Sequence, residues 1–137
     1  MKKAIFLVLI FSVSLLTKVN AQNLKNDCEF YKSTTYLLSS LHTIDGVVKS
    51  KYNETDLKNA LPILEKNKSK IEKSFNILKL KYSKDKDFTT YENWILFNRN
   101  ISKMLQESQE SQEKNSSFTL GLYLINLDIN DFLDKKY

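Results

Sequence analysis

Turn-forming residues are nearly missing from this chain: Gly46, Gly121 and Pro62 are its only glycines and proline in 137 residues. Sandwiches and barrels need such punctuation between short strands, so an all-β fold is excluded, and the abundance of Lys, Leu, Asn, Ser and Glu points to helices. Cys28 is the single cysteine. No internal disulfide can form, and the core must hold the fold by apolar packing alone. His42 is the single histidine and Arg99 the single arginine, so acid–base and nucleophilic chemistry lack their usual residues. Cys28 and His42 are 14 residues apart, which on a continuous helix is ~21 Å at 1.5 Å per residue, too far for a dyad. Cys28 therefore reads as a small apolar residue beside Leu24, Tyr31 and Thr35. There is no Gly-rich loop to cradle phosphate, and one arginine with weak net charge argues against nucleic acid as a partner.

Long apolar runs are confined to the first residues. Lys2 and Lys3 precede an apolar stretch from Ala4 to Phe11 that continues weakly to Leu16, and Val19-Asn20-Ala21 supplies the −3 and −1 positions of a cleavage site after Ala21. This pattern predicts a secretory signal peptide over residues 1–21 and a single helical-bundle domain over 22–137. The apolar stretch is short of the roughly 20 residues of a spanning helix and is diluted by Ser12, Ser14 and Thr17, so no stable membrane span is expected after processing. The lysine-first leader ending in Asn-Ala-Gln and the heavy use of Lys, Asn and Ile resemble exported proteins of AT-rich Gram-negative bacteria. That resemblance covers the leader and composition only; it implies the periplasm, or otherwise secretion.

Processing also changes the charge. The full chain carries +5, but loss of Lys2, Lys3 and Lys18 leaves 18 basic against 16 acidic residues, a net of +2. From Lys49 to Lys86, 11 lysines face five carboxylates; from Asp87 to Asp134, eight carboxylates face Arg99, Lys103 and Lys114. A basic second helix beside acidic later ones favours some helix arrangements over others.

Apolar spacing defines four segments. The first carries Phe30, Thr34, Leu37, Leu41, Ile44 and Val48 at steps of four and three, with Gly46 able to end the helix or merely weaken it. The second, capped by Thr55 or Asp56, has the cleanest seam: Leu57, Leu61, Leu64, Lys68, Ile71, Phe75, Leu78 and Tyr82. Pro62 predicts a kink in it, or a short turn before the helix proper. The third starts near Asp85 or Thr89 and lines up Tyr91, Trp94, Asn98, Ile101 and Leu105. An amide at Asn98 must find a partner or cost ~1–3 kcal/mol, and register fixing is its expected role. Gln106 to Ser117 is polar throughout, unable to contribute core, and extends the third helix or links it to the next. The last segment, from Ser117 or Phe118 to about Lys135, is apolar nearly all round, with only Thr119, Tyr123, Asn126 and Asn130 as a polar strip. It is expected to be the most buried helix. The fold class is all-α, a four-helix up-down-up-down antiparallel bundle.

Function is less legible. The preferred expectation is a small exported non-catalytic interaction protein of the cell envelope, of inhibitor, immunity-factor, chaperone or adaptor type, binding another envelope or secreted protein. Its candidate partner surface is the lysine face Lys66, Lys70, Lys73, Lys81 and Lys84 or the acidic set Glu107, Glu110 and Glu113. The alternative is a carrier of a small apolar molecule or haem, using Tyr91, Trp94, Phe97 and Met104, with His42 and Met104 as axial ligands at one level of parallel helices. No cofactor or metal is otherwise implied: His42-x-x-Asp45 is a lone pair without the second motif of a di-metal bundle.

Overall fold

The computed structural model describes residues 23–135, with the backbone alone for 112–115; the signal peptide read over 1–21 lies outside the described residues. After a short 3-10 turn at Leu24–Asn26 come α1 (Cys28–Lys49), α2 (Glu54–Tyr82), α3 (Phe88–Glu110) and α4 (Gln112–Asp134). Among the described residues there are no strands. The helices form an all-α four-helix bundle.

Cross-helix pairs give the direction of each element. From Asn67–Ser40 through Ser74–Glu29 to Tyr82–Asp27, the α2 number rises as the α1 number falls, so these helices are antiparallel. Glu72–Arg99 and Glu65–Ser102 show the same for α2 and α3. Ser33–Tyr91 and Tyr52–Ser108 rise together, so α1 and the α3 end run parallel across the diagonal. The topology is therefore up-down-up-down.

Local chemistry sets the boundaries, with several departures from expectation. Asp27 caps α1 by accepting from the Glu29 amide at 2.8 Å. Asn53, not Thr55 or Asp56, caps α2, taking both of their amides on its Oδ1. Gly46 ends nothing: α1 continues to Lys49, and the reversal falls on Lys51 and Tyr52, with φ of 55° and 58°. Tyr52 is held there by its own amide on the Val47 carbonyl and its hydroxyl at 2.9 Å from Ser108. No turn precedes the helix proper at Pro62: α2 runs continuously through it, and Pro62 lies on an exposed face, where the carbonyl that loses its partner is near water. The polar tract is helical on both sides of an extended Ser111, and its Ser108 is buried, so it does contribute to the interior.

The core is aromatic at one end and aliphatic at the other. Phe30, Phe75, Phe88, Tyr91, Trp94 and Phe132 form the aromatic end, with ring centroids 5.1 to 6.4 Å apart. Leu24, fully buried, closes that end, its amide on Asp85 Oδ2 at 3.0 Å. Of the neighbouring pairs, α1 and α2 make the most extensive contact and α1 and α4 the sparsest. Small side chains at Ser40, Ala60 and Ser74 let the first pair approach closely.

Two expectations about burial fail. Cys28 is exposed, because it occupies the first turn of α1, on the side away from Phe30. The last helix is the least covered: Leu120, Tyr123, Leu124 and Leu127 are 56, 60, 55 and 43% exposed. It has two neighbours and one core, and these can bury only Phe118, Leu122, Ile129 and Phe132, with Ile125 and Leu133 partly.

Candidate functional site

Two features of α4 stand out, one on the face opposite its buried stripe and one on the flank towards α1. Leu120, Leu124 and Leu127 are spaced by four and three residues and share one outward face, joined at its edge by Tyr123. Towards the carboxyl end this face runs into exposed Asp131 and Asp134. The adjacent flank is fixed to α3, since the Trp94 indole N–H donates to Asp128 Oδ2 at 2.6 Å and Phe97 lies against Gly121.

The opposite flank of α4 faces α1 across a cleft of ≈390 Å³. Leu38, Leu41, Val48 and Leu122 give it apolar walls. Its polar lining is His42 and Asp45 from α1 with Thr119, Tyr123 and Asn126 from α4. Three members of the polar strip noticed in the sequence thus meet the His-x-x-Asp pair. Asp45 is also bridged to Lys49 one turn on.

Asn98 lies in the core with no exposure, and neither its Nδ2 nor its Oδ1 has a hydrogen-bond partner. Other buried polar groups are served: Asn67 donates to Ser40 at 3.1 Å, and Ser33 and Tyr91 pair at 2.8 Å. Burial pushes the Tyr91 phenol up to about 12. Tyr82 reaches about 12 as well, through burial first and then its hydrogen bond to Asp27. Burial alone would raise the Asp27 carboxyl, but donation from Tyr82, the Glu29 amide and Lys81 holds it below its ordinary value.

The candidate lysines are all exposed, Lys66, Lys70, Lys73 and Lys81 on α2 and Lys84 in the turn that follows it. Lys70 donates to the Tyr36 hydroxyl at 3.0 Å and lies over its ring, and Lys81 pairs with Asp27, so these two clasp α1; Lys66, Lys73 and Lys84 face solvent. Glu107 is half-buried and pairs with Lys103, Glu110 is exposed at the end of α3, and the Glu113 side chain lies outside the described residues. His42 is exposed at the cleft, whereas Met104 is half-buried against the core and is not part of the cleft lining. Tyr91 and Trp94 are engaged ring to ring and do not line that cleft. Among the described residues no group of three or more His, Cys, Asp or Glu could hold a metal ion, and no helix is long and apolar enough to cross a membrane.

The outward leucines are what sequence reasoning missed; Asn98 was singled out there, and of its two alternatives the structure shows the amide without a partner. An apolar circumference on a helix with only two neighbours signals that some of it must face out. Fold and site define a class, a small up-down four-helix bundle with one apolar helix face left outside. Comparison with family models, with curated proteins and with solved structures finds no match.

Proposed function

We propose that this is a small exported, non-catalytic interaction protein of the cell envelope, of inhibitor, immunity-factor, chaperone or adaptor type, that grips its partner with the outward face of α4. The observation that carries the reading is the contiguous exposure of Leu120, Tyr123, Leu124 and Leu127. Large apolar side chains gathered on one face of a small bundle are the usual mark of a protein contact. The lysine face of α2 is the weaker candidate, because Lys70 and Lys81 are already used within the bundle.

The partner's chemistry follows from the border of the patch. Asp131 and Asp134 flank the leucines, in a half of the chain that is acidic overall. The partner is an exported protein presenting an apolar helix face edged by Lys or Arg. Export is supported by the leader, and the non-catalytic reading by the distance between the single Cys and the single His along α1.

A photo-crosslinking residue placed at Leu124, in the protein expressed from its full-length gene, tests this. The expected result is one heterologous adduct that is lost in a Leu120→Ser/Leu127→Ser variant and weakened by Asp131→Lys/Asp134→Lys. An adduct of twice the chain mass, an adduct insensitive to these changes, or none at all overturns the reading.

A further inference from the structure

Burying an amide with both of its polar atoms unpaired costs about 1–3 kcal/mol, and Asn98 does so at the centre of the α3 core face. A leucine of similar volume would remove the cost, so the amide calls for a reason. Its level in the bundle supplies one. The pairs Ser33–Tyr91 and Tyr52–Ser108 put Asn98 level with Leu37 to Leu41 of α1. The contacts Trp94–Asp128 and Phe97–Gly121, on antiparallel helices, put it level with Leu120 to Leu124 of α4. Leu41 and Leu122, the deepest walls of the α1–α4 cleft, therefore lie at the level of the orphaned amide, along the sparsest contact between neighbouring helices.

We propose that the α1–α4 seam is a binding site for a neutral, mainly apolar small molecule carrying one hydrogen-bonding group. Leu41 and Leu122 part, the apolar body enters between them, and its carbonyl, hydroxyl or N–H pairs with the Asn98 amide. The cleft volume of ≈390 Å³ is within the range of about 300–1,000 Å³ usual for such sites. Neutrality follows from the partner: a lone amide can satisfy a hydrogen bond but cannot offset the desolvation of a charge. Tyr123 and Asn126 at the rim meet whatever polar end remains outside. This site shares only Tyr123 with the outward patch; Leu120, Leu124 and Leu127 are not part of its lining.

The probe is N-phenyl-1-naphthylamine, which is neutral and apolar and carries one N–H. Titrated into the full protein, it is expected to gain fluorescence saturably and to shift the Asn98 side-chain amide and the Leu41 and Leu122 methyl resonances. Asn98→Leu should melt at a higher temperature than the wild type yet bind the probe about tenfold more weakly. Leu122→Trp should block the seam and abolish the fluorescence gain. No saturable binding, equal affinity in Asn98→Leu, or shifts confined to Leu120, Leu124 and Leu127 overturns the proposal, and buried water is then what serves Asn98.

Discussion

Lys51 and Tyr52 hold consecutive left-handed conformations without being glycine; both amides are bonded, to the Val48 and Val47 carbonyls, and the difference between them lies in the side chains. Tyr52 gains a hydrogen bond to Ser108, while the Lys51 side chain is exposed. Lys51→Gly is therefore expected to stabilise the protein by about 0.5–1 kcal/mol, read as an increase in the urea midpoint with unchanged slope. Titrating residues act at the extremes of pH. The phenols of Tyr82 and Tyr91 are raised to about 12; their contribution is complete below pH ~10, the unfolded value, and is lost as pH rises through the folded value. Asp27 has the opposite sign. Its carboxyl is lowered, so its contribution is present above the unfolded value of about 4 and disappears as pH falls through the folded one. Helicity followed by circular dichroism should decline in both directions. Tyr91→Phe should move the alkaline midpoint upward, since Ser33 keeps its bond to the Phe30 carbonyl. Asp27→Asn keeps the cap but not the charge, and should flatten the acid limb. Acid and alkaline limbs unchanged in these variants would show that other groups govern them.

The helices themselves are where the sequence speaks most clearly and also where it misleads. Periods of four and three place all four, and the α3 seam Tyr91, Trp94, Asn98, Ile101 and Leu105 is buried at every position. The same reasoning failed on α4, because periodicity reports how apolar a helix is and not how many neighbours it has. Leu57 of the α2 seam is only partly buried for a related reason: it lies near the end of α1, close to where the chain reverses at Lys51 and Tyr52. For the candidate site, His42, Asp45 and the strip Thr119, Tyr123 and Asn126 were each visible in the sequence. Their meeting was not, since it depends on which helix closes the bundle against α1. The two faces of α4 should now behave differently under mutation. Leu120→Ser, Leu124→Ser and Leu127→Ser are each expected to change stability by no more than about 0.5 kcal/mol. Phe132→Ala, which strips ring contacts to Phe30 and Trp94, should cost about 3 kcal/mol or more. Chemical denaturation of the four variants separates these outcomes, and a large loss from any of the leucines would mean that the outward face is covered.

At the scale of the whole molecule the bundle is unevenly tied. The α1–α2 seam is laced by Asn67 to Ser40, Ser74 to Glu29, Lys70 to Tyr36 and Tyr82 to Asp27, and α2 is joined to α3 by the Arg99–Glu72 fork at 2.7 and 3.0 Å. By contrast α4 follows a break at Ser111, touches α1 sparsely, and is held laterally by the Trp94–Asp128 bond and four buried side chains. Local opening follows the weakest ties, so α4 should separate from α1 at a lower free energy than global unfolding. Such an opening uncovers Leu41 and Leu122, the same seam that the proposed ligand would enter. Native-state hydrogen exchange is expected to show α4 amides exchanging through a sub-global opening while the α1 and α2 amides wait for global unfolding. Asp128→Ala should sharpen the contrast, because it removes the lateral tie from an exposed position without cutting into the core. Its effect should be faster exchange in α4 with little change in α1. If all four helices instead slow and quicken together, the bundle opens as one unit and the seam has no separate freedom with which to admit a ligand.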